Sequence, residues 1–247
     1  KSNRYTQSDH YVFGVEYNLS PSARFTVEAF RKEYSQYPVS VVDGVSLANK
    51  GAGFEVLGNE AVIDTGSGLS KGIEVLFQQK LSNNFYGILA YTLFSSEFSG
   101  IDRVRLPSVW DSGNLLTFTG GYKLPKNWEV SLRYRYAGAT PFAPTDTAAT
   151  LTTYPQVIID YSRLGENNLS TFKQGDFRLD KKWNFEKLSF NFYFEIQNFL
   201  AQENPRPDEY TLARTDEGVL ILPRELVKIE REERNTPFPS FGFVFDF

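Results

Sequence analysis

Polar and apolar residues alternate one by one over long stretches of this chain. A period of two is the period of a β-strand, whose successive side chains point to opposite faces. The stretch KLSFNFYFEIQNF sets Leu188, Phe190, Phe192, Phe194 and Ile196 against Ser189, Asn191, Tyr193, Glu195 and Gln197. NWEVSLRYRY sets Trp128, Val130, Leu132, Tyr134 and Tyr136 against Glu129, Ser131, Arg133 and Arg135. YVFGVEYNL sets Tyr11, Phe13, Val15, Tyr17 and Leu19 against Val12, Gly14, Glu16 and Asn18. The last eight residues, SFGFVFDF, place Phe241, Phe243, Phe245 and Phe247 on one face. The pattern predicts nine strands, over 9–19, 23–34, 69–81, 84–98, 114–124, 127–138, 171–184, 187–198 and 239–247.

The connections between these strands alternate in length. Ser-Pro-Ser at 20–22, Ser-Asn-Asn at 82–84, Pro-Lys-Asn at 125–127 and Phe-Glu-Lys at 185–187 read as tight turns. Long segments at 35–68, 99–113, 139–170 and 199–238 lie between them. Strands of roughly 9–11 alternating residues, with short turns on one side and long loops on the other, are the pattern of an outer-membrane barrel. The predicted fold is therefore all-β, an antiparallel transmembrane β-barrel. Nine strands that both begin and end descending cannot close by themselves, because a bacterial single-chain barrel has an even strand number. Residues 1–247 are accordingly expected to be the C-terminal part of a larger barrel, with a plug domain and early strands missing. The chain begins at Lys1 and contains no methionine, so an upstream segment is expected to have been removed or left out.

Composition changes the picture at a few points. A mean hydropathy of -0.36 looks soluble, but a barrel strand exposes only every second residue to lipid. No stretch approaches the roughly 20 apolar residues of a membrane helix. Aromatic residues make up 16% of the chain, with 14 Tyr and 22 Phe, as expected where rings crowd the membrane interfaces. Cysteine is absent, which removes disulfides, thiolate catalysis and zinc-thiolate sites together. A formal charge of -4 and a pI near 5.3 argue against nucleic acid.

Several segments resemble a known family, the TonB-dependent receptors, which are active transporters of the outer membrane. GLSKGIEVLFQQKLSNNFYGILAYTLFSSEF resembles one recurrent hairpin of that family. LPSVWDSGNLLTFTGGYKLPKNWEVSLRYRYAGATPFAP resembles the next, and LDKKWNF through FEIQNFL the penultimate one. The resemblance implies a 22-stranded barrel in the bacterial outer membrane that imports a scarce or bulky nutrient. It also implies partners: lipid, an N-terminal plug, a TonB-type energy coupler acting through the missing N-terminal part, and a small-molecule, glycan or peptide cargo. The terminal rings Phe241, Phe243, Phe245 and Phe247 would be a signal to the barrel-assembly machinery. A passive porin or structural outer-membrane protein stays open as an alternative, as does a soluble β-sandwich.

No catalytic, cofactor or metal site is expected, and the chain does not read as an enzyme. Gly68-Leu-Ser70-Lys-Gly72 matches a nucleophile elbow, but a strand follows it and the single histidine, His10, lies upstream. Its glycines read instead as the start of a strand at the rim. Asp64-Thr-Gly-Ser67 resembles an aspartic-protease loop without its second copy, and reads as a turn or loop tip. Glu16, Glu74, Arg133, Arg135, Asp176, Arg178, Asp180 and Glu195 share the polar parity and are candidates for a wet lumen. Trp110, Asp111, Tyr154 and Tyr161 lie in the long loops, where they could contact cargo or anchor an interface. ELVKIEREER at 225–234 is a charge run that reads as a solvated strand or short helix.

Overall fold

A computed structural model describes residues 4–51, 56–230 and 236–247. Nine long strands follow one another: β1 (Gln7–Ser20), β2 (Ala23–Ser40), β3 (Val62–Ser82), β4 (Phe85–Ser99), β5 (Asn114–Leu124), β6 (Trp128–Ala137), β7 (Phe172–Asn184), β8 (Ser189–Gln197) and β9 (Phe238–Asp246). Each pairs antiparallel with the next in sequence, giving one up-and-down sheet. A short strand, Arg105–Pro107, extends the far end of β4. Among the described residues, β1 pairs only with β2 and β9 only with β8, so the sheet is open at both edges.

Register carries the alternation across the whole sheet. In an antiparallel pair, directly opposite residues share a face. Tyr17, Phe25, Phe77, Leu89, Phe118 and Tyr134 are successive partners across six strands and form one apolar row. On the last three strands Trp183, Phe190 and Phe245 form another, as do Leu179, Phe194 and Phe241. The rings of Phe190 stack on Trp183 at 5.2 Å and on Phe243 at 5.6 Å. From Trp128 to Tyr136 this aromatic face covers about 26 Å of strand at about 3.3 Å per residue. It is not folded inward: Phe13 is 75% exposed and Phe241 70%. The buried apolar side chains Val39, Ala48, Val109, Ala143, Leu164 and Leu212 lie instead at the loop end of the sheet.

The two ends differ as the sequence predicts. Residues 21–22, 83–84, 125–127 and 185–188 make tight connections, and 41–61, 100–113, 138–171 and 198–237 make long ones. Asn83 and Asn84 adopt φ of 50° and 68°, and Lys126 and Asn127 adopt 62° and 58°. Left-handed pairs of this kind match the twist of the strands they join, and Asn tolerates them best after Gly.

Two expectations are corrected. β2 runs on to Ser40 and β3 starts at Val62, so Asp64–Ser67 lies inside a strand and is not a turn or loop tip. Gly68 and Gly72 are likewise strand interior, not a strand start. Alternation fails there because the pairing shifts register between Tyr34 and Val39, with Gln36 at φ 56°. Gly68 is needed for packing, since a Cβ there would sit 2.3 Å from a ring carbon of Phe98. That ring clusters with Tyr34 at 5.3 Å and Tyr37 at 4.6 Å. Of the 225–234 charge run, Leu226–Lys228 pairs as a strand with Tyr210–Leu212, and 231–234 lie outside the described residues. Among the described residues no helix is long and apolar enough to cross a membrane, which leaves open crossing by strands.

Candidate functional site

All eight lumen candidates fall on the same face of the sheet. Glu16 is opposite Thr26, and the row continues through Leu76, Ala90 and Thr117 to Arg135. Arg133 is opposite Asp176, Arg178 is opposite Glu195, and Asp180 is opposite Glu129 on one side and Tyr193 on the other. Glu74 is opposite Glu28 and Thr92.

Two linked clusters organise this polar face. Asp176, with its side chain 6% exposed, accepts from Arg133 Nε at 2.8 Å, from Gln174 Nε2 at 3.1 Å and from the main-chain N–H of Asn198 at 2.9 Å. Asn198 opens the longest loop, so this buried carboxylate fastens the loop to the sheet. Gln174 also accepts from Arg135 Nη2 at 2.7 Å. In the second cluster Arg178 makes a two-bond fork with Asp180, 2.8 Å each, and its guanidinium lies 4.0 Å over the Tyr193 ring. Asp180 accepts from Asn191 Nδ2 at 2.9 Å, and Glu195 lies 3.7 Å from Arg178. The Tyr86 hydroxyl donates to Glu129. In these clusters Arg133, Asp176, Arg178, Asp180 and Glu195 are ion-paired, whereas Arg135 bonds only the neutral Gln174 and keeps a buried Nε without a partner among the described residues. Glu16 pairs with Arg24 at 3.4 Å, whereas Glu74 has no ion pair among the described residues.

The long loops line a half-open cavity of about 960 Å³. Its walls come from residues within 42–51 and 56–60, from Val109, from 142–145, 156–159, Tyr161 and Asn167, and from 206–210 and Ile229. That volume is at the upper end of those that hold small molecules. At its base Lys50, with its side chain 10% exposed, bridges Asp43 and Glu60 and lies 5.5 Å from the Tyr161 ring. Ser40 donates to Glu60, and Asn49 Nδ2 donates to the carbonyls of Leu106 and Pro107 at 3.1 and 2.8 Å. Lys50 and Asn49 therefore tie three loops into one unit. Burial pushes the Lys50 ammonium down, but its bonds to Asp43 and Glu60 outweigh that and hold it above the ordinary lysine value. Lys50 and Ser40 hold the Glu60 carboxyl below the usual carboxylate range.

Of the four loop candidates, Tyr161 lines this cavity. Trp110 is 70% exposed and does not line it. Asp111 accepts from the main-chain N–H groups of Ser96 and Gly113, a turn-shaping role, and Tyr154 contacts Thr211 Oγ1 at 3.4 Å, joining two loops. Lys50, Asp43 and Glu60 escaped sequence reasoning because loop charges carry no periodicity. Among the described residues no group of three or more His, Asp or Glu is placed to hold a metal ion. The terminal rings Phe241, Phe243 and Phe245 sit opposite Phe194, Phe192 and Phe190, and Phe247 lies past the last strand residue, 99% exposed.

A scan against protein-family models finds no match, and neither does a search of curated proteins. Solved structures do match. The ferric-catecholate import receptor Fiu from E. coli K12 is similar with a TM-score of 0.56 and 11% identity, over 97% of this chain and 27% of its own. The ferripyoverdine receptor of the Pseudomonas aeruginosa outer membrane, bound to ferripyoverdine, gives 0.58 and 12% over 97% and 27%. The ferric citrate transporter FecA in its unliganded form gives 0.59 and 12% over 97% and 31%. This chain thus spans under a third of the length of these receptors. Similarity over 97% of this chain at such low identity is similarity of fold: the chain has the fold of part of the barrel of TonB-dependent outer-membrane receptors.

Proposed function

We propose that these nine strands are the C-terminal part of the barrel of an outer-membrane active transporter, and that the long loops receive its cargo outside the cell. The observation that carries this reading is the sorting of the sheet into two faces. One shows aromatic and branched side chains outward with no layer packed on it, and the other is a compensated ionic wall. In water the first face would be an unprotected sticky surface, and in a bilayer it meets a matching solvent. The open edges at β1 and β9 call for further strands, since hydrocarbon does not tolerate unpaired backbone. The polar face would then look into the lumen, with a plug as its neighbour.

The neighbours' cargo of iron chelates supports a scarce nutrient as the class of cargo here, entering through the loop cavity beside Lys50 and Tyr161. Coupling to a TonB-type protein would run through the part outside this chain. Phe241, Phe243, Phe245 and Phe247 would address the chain to the assembly machinery. Deleting Phe247 from the intact protein is then expected to lower its outer-membrane level and leave its refolded stability nearly unchanged. The test of active against passive transport is conductance of the intact protein in a planar bilayer. A plugged importer stays closed and takes up cargo only in energised cells. A steady open conductance would establish the passive porin instead.

A further inference from the structure

At the short-turn end, the aromatic face carries one charged side chain among the described strand residues, Lys181 on β7. The others of that parity, Asp9, Arg31, Glu33, Lys71, Glu97 and Lys173, sit toward the loops. Lys181 faces Trp128 across one strand pair and Phe192 across the other, with Trp183 two residues along. Its ammonium bends down to the turn and donates to the main-chain carbonyl of Lys126. It also lies 5.3 Å from the ring centroids of both Trp128 and Trp183. Reaching past apolar surface toward the polar boundary is what a long cationic side chain does on a lipid-facing wall.

The carbonyl accounts for one of three ammonium hydrogens. The other two, and the indole N–H groups of Trp128 and Trp183, have no protein acceptor among the described residues. Lys126, exposed in the same turn, adds a second ammonium without an ion pair there. The acids nearest in sequence to Trp128 and Lys181, Glu129 and Asp180, are on the opposite face and are engaged by Tyr86 and Arg178, and Glu186, in the 185–188 turn, makes no ion pair or hydrogen bond with the cluster among the described residues. The cluster is therefore all donors and positive charge, bordered by Leu124, Leu179 and Phe192. A negatively charged acceptor with an apolar body completes it.

We propose that Lys181, Trp128, Trp183 and Lys126 hold the phosphate group of a phospholipid in the leaflet beside the short turns, with its acyl chains along the neighbouring apolar rows. The proposal rests on the membrane reading above. It commits to lipid over free phosphate because the rows beside the cluster offer hydrocarbon contacts and no further polar group.

The test is native mass spectrometry of the intact protein released from nanodiscs of phosphatidylglycerol, counting the lipids that stay bound. The wild-type protein should keep one lipid that Lys181→Gln loses, with about a tenfold weaker retention for the loss of one charge-assisted bond of about 1.4 kcal/mol. Lys181→Arg should keep it. Trp128→Phe, which keeps the ring and removes only the N–H, should weaken it and carries the test if Lys181→Gln fails to fold. Lys182→Gln, on the opposite face beside Asp246, should behave as wild type. Equal retention by wild type, Lys181→Gln and Trp128→Phe overturns the site, as does displacement of the lipid by inorganic phosphate. A failure of the membrane reading looks different, since then no variant folds in the nanodisc or keeps any lipid.

Discussion

Leu89 and Thr92 show what face means for a single residue. Leu89 lies in the middle of the apolar row, between Phe77 and Phe118, and Thr92 lies on the polar face opposite Glu74. An arginine at the lipid midplane costs about 2–4 kcal/mol, and one in a wet lumen costs little. Leu89→Arg should therefore destabilise the intact protein by about that amount in reversible unfolding from lipid. Thr92→Arg, beside an unpaired carboxylate, should change it by less than about 0.5 kcal/mol. Asp176 presents the converse case, a buried acceptor with three donors. Asp176→Ala strands the Asn198 N–H and the half-exposed Arg133 guanidinium, a loss of about 2–3 kcal/mol after allowing for solvent screening of Arg133. Denaturant midpoints measure it, and Asp176→Asn should recover part of the loss by still accepting from Asn198.

At the scale of elements, what was legible depended on packing period. Strands such as β5 to β9 keep strict alternation because each is a plain ribbon with one face on each side, and their predicted bounds agree with the observed ones to within two residues. The loop ends of β2 and β3 did not show, because a register shift and Gly66, Gly68 and Gly72 break the alternation while the backbone pairing continues. The parity of the polar residues could be read directly, since pairing register only extends it. The cavity could not, because Lys50, Asp43, Glu60 and Tyr161 come from segments with no repeating pattern and meet only in three dimensions. That ion cluster also sets a pH dependence for the loop at 41–61. The Glu60 carboxyl titrates below its ordinary value of 4.5, so its contribution is fully present above that pH and is lost as pH falls toward the lowered value. Hydrogen exchange at the Val42 and Asp43 amides, which are bonded to Ser40 Oγ, should speed up on acidification beyond the intrinsic trend. In Glu60→Gln that additional acid response should be gone, and an unchanged response would assign it to another group.

For the whole molecule, two open edges and one lipid-matching face have a joint consequence. The 247-residue chain by itself should not form a monodisperse, heat-resistant barrel in detergent, because β1 and β9 have unpaired outer edges that pair with other copies. Size-exclusion of the refolded chain checks this, and a stable closed monomer would contradict it. The central claim, that the two faces of one continuous sheet meet lipid and water, has a still more direct test. The chain contains no cysteine, so a single introduced cysteine reports one position in it. Cysteines placed one at a time from Val130 to Arg135 on β6, in the intact protein without other cysteines and reconstituted in lipid, would be measured for reaction with a water-soluble thiol reagent. The account predicts strict alternation: Ser131, Arg133 and Arg135 positions react, and Val130, Leu132 and Tyr134 positions react only with a membrane-soluble reagent. Uniform reactivity along the strand, or protection without a period of two, would contradict it.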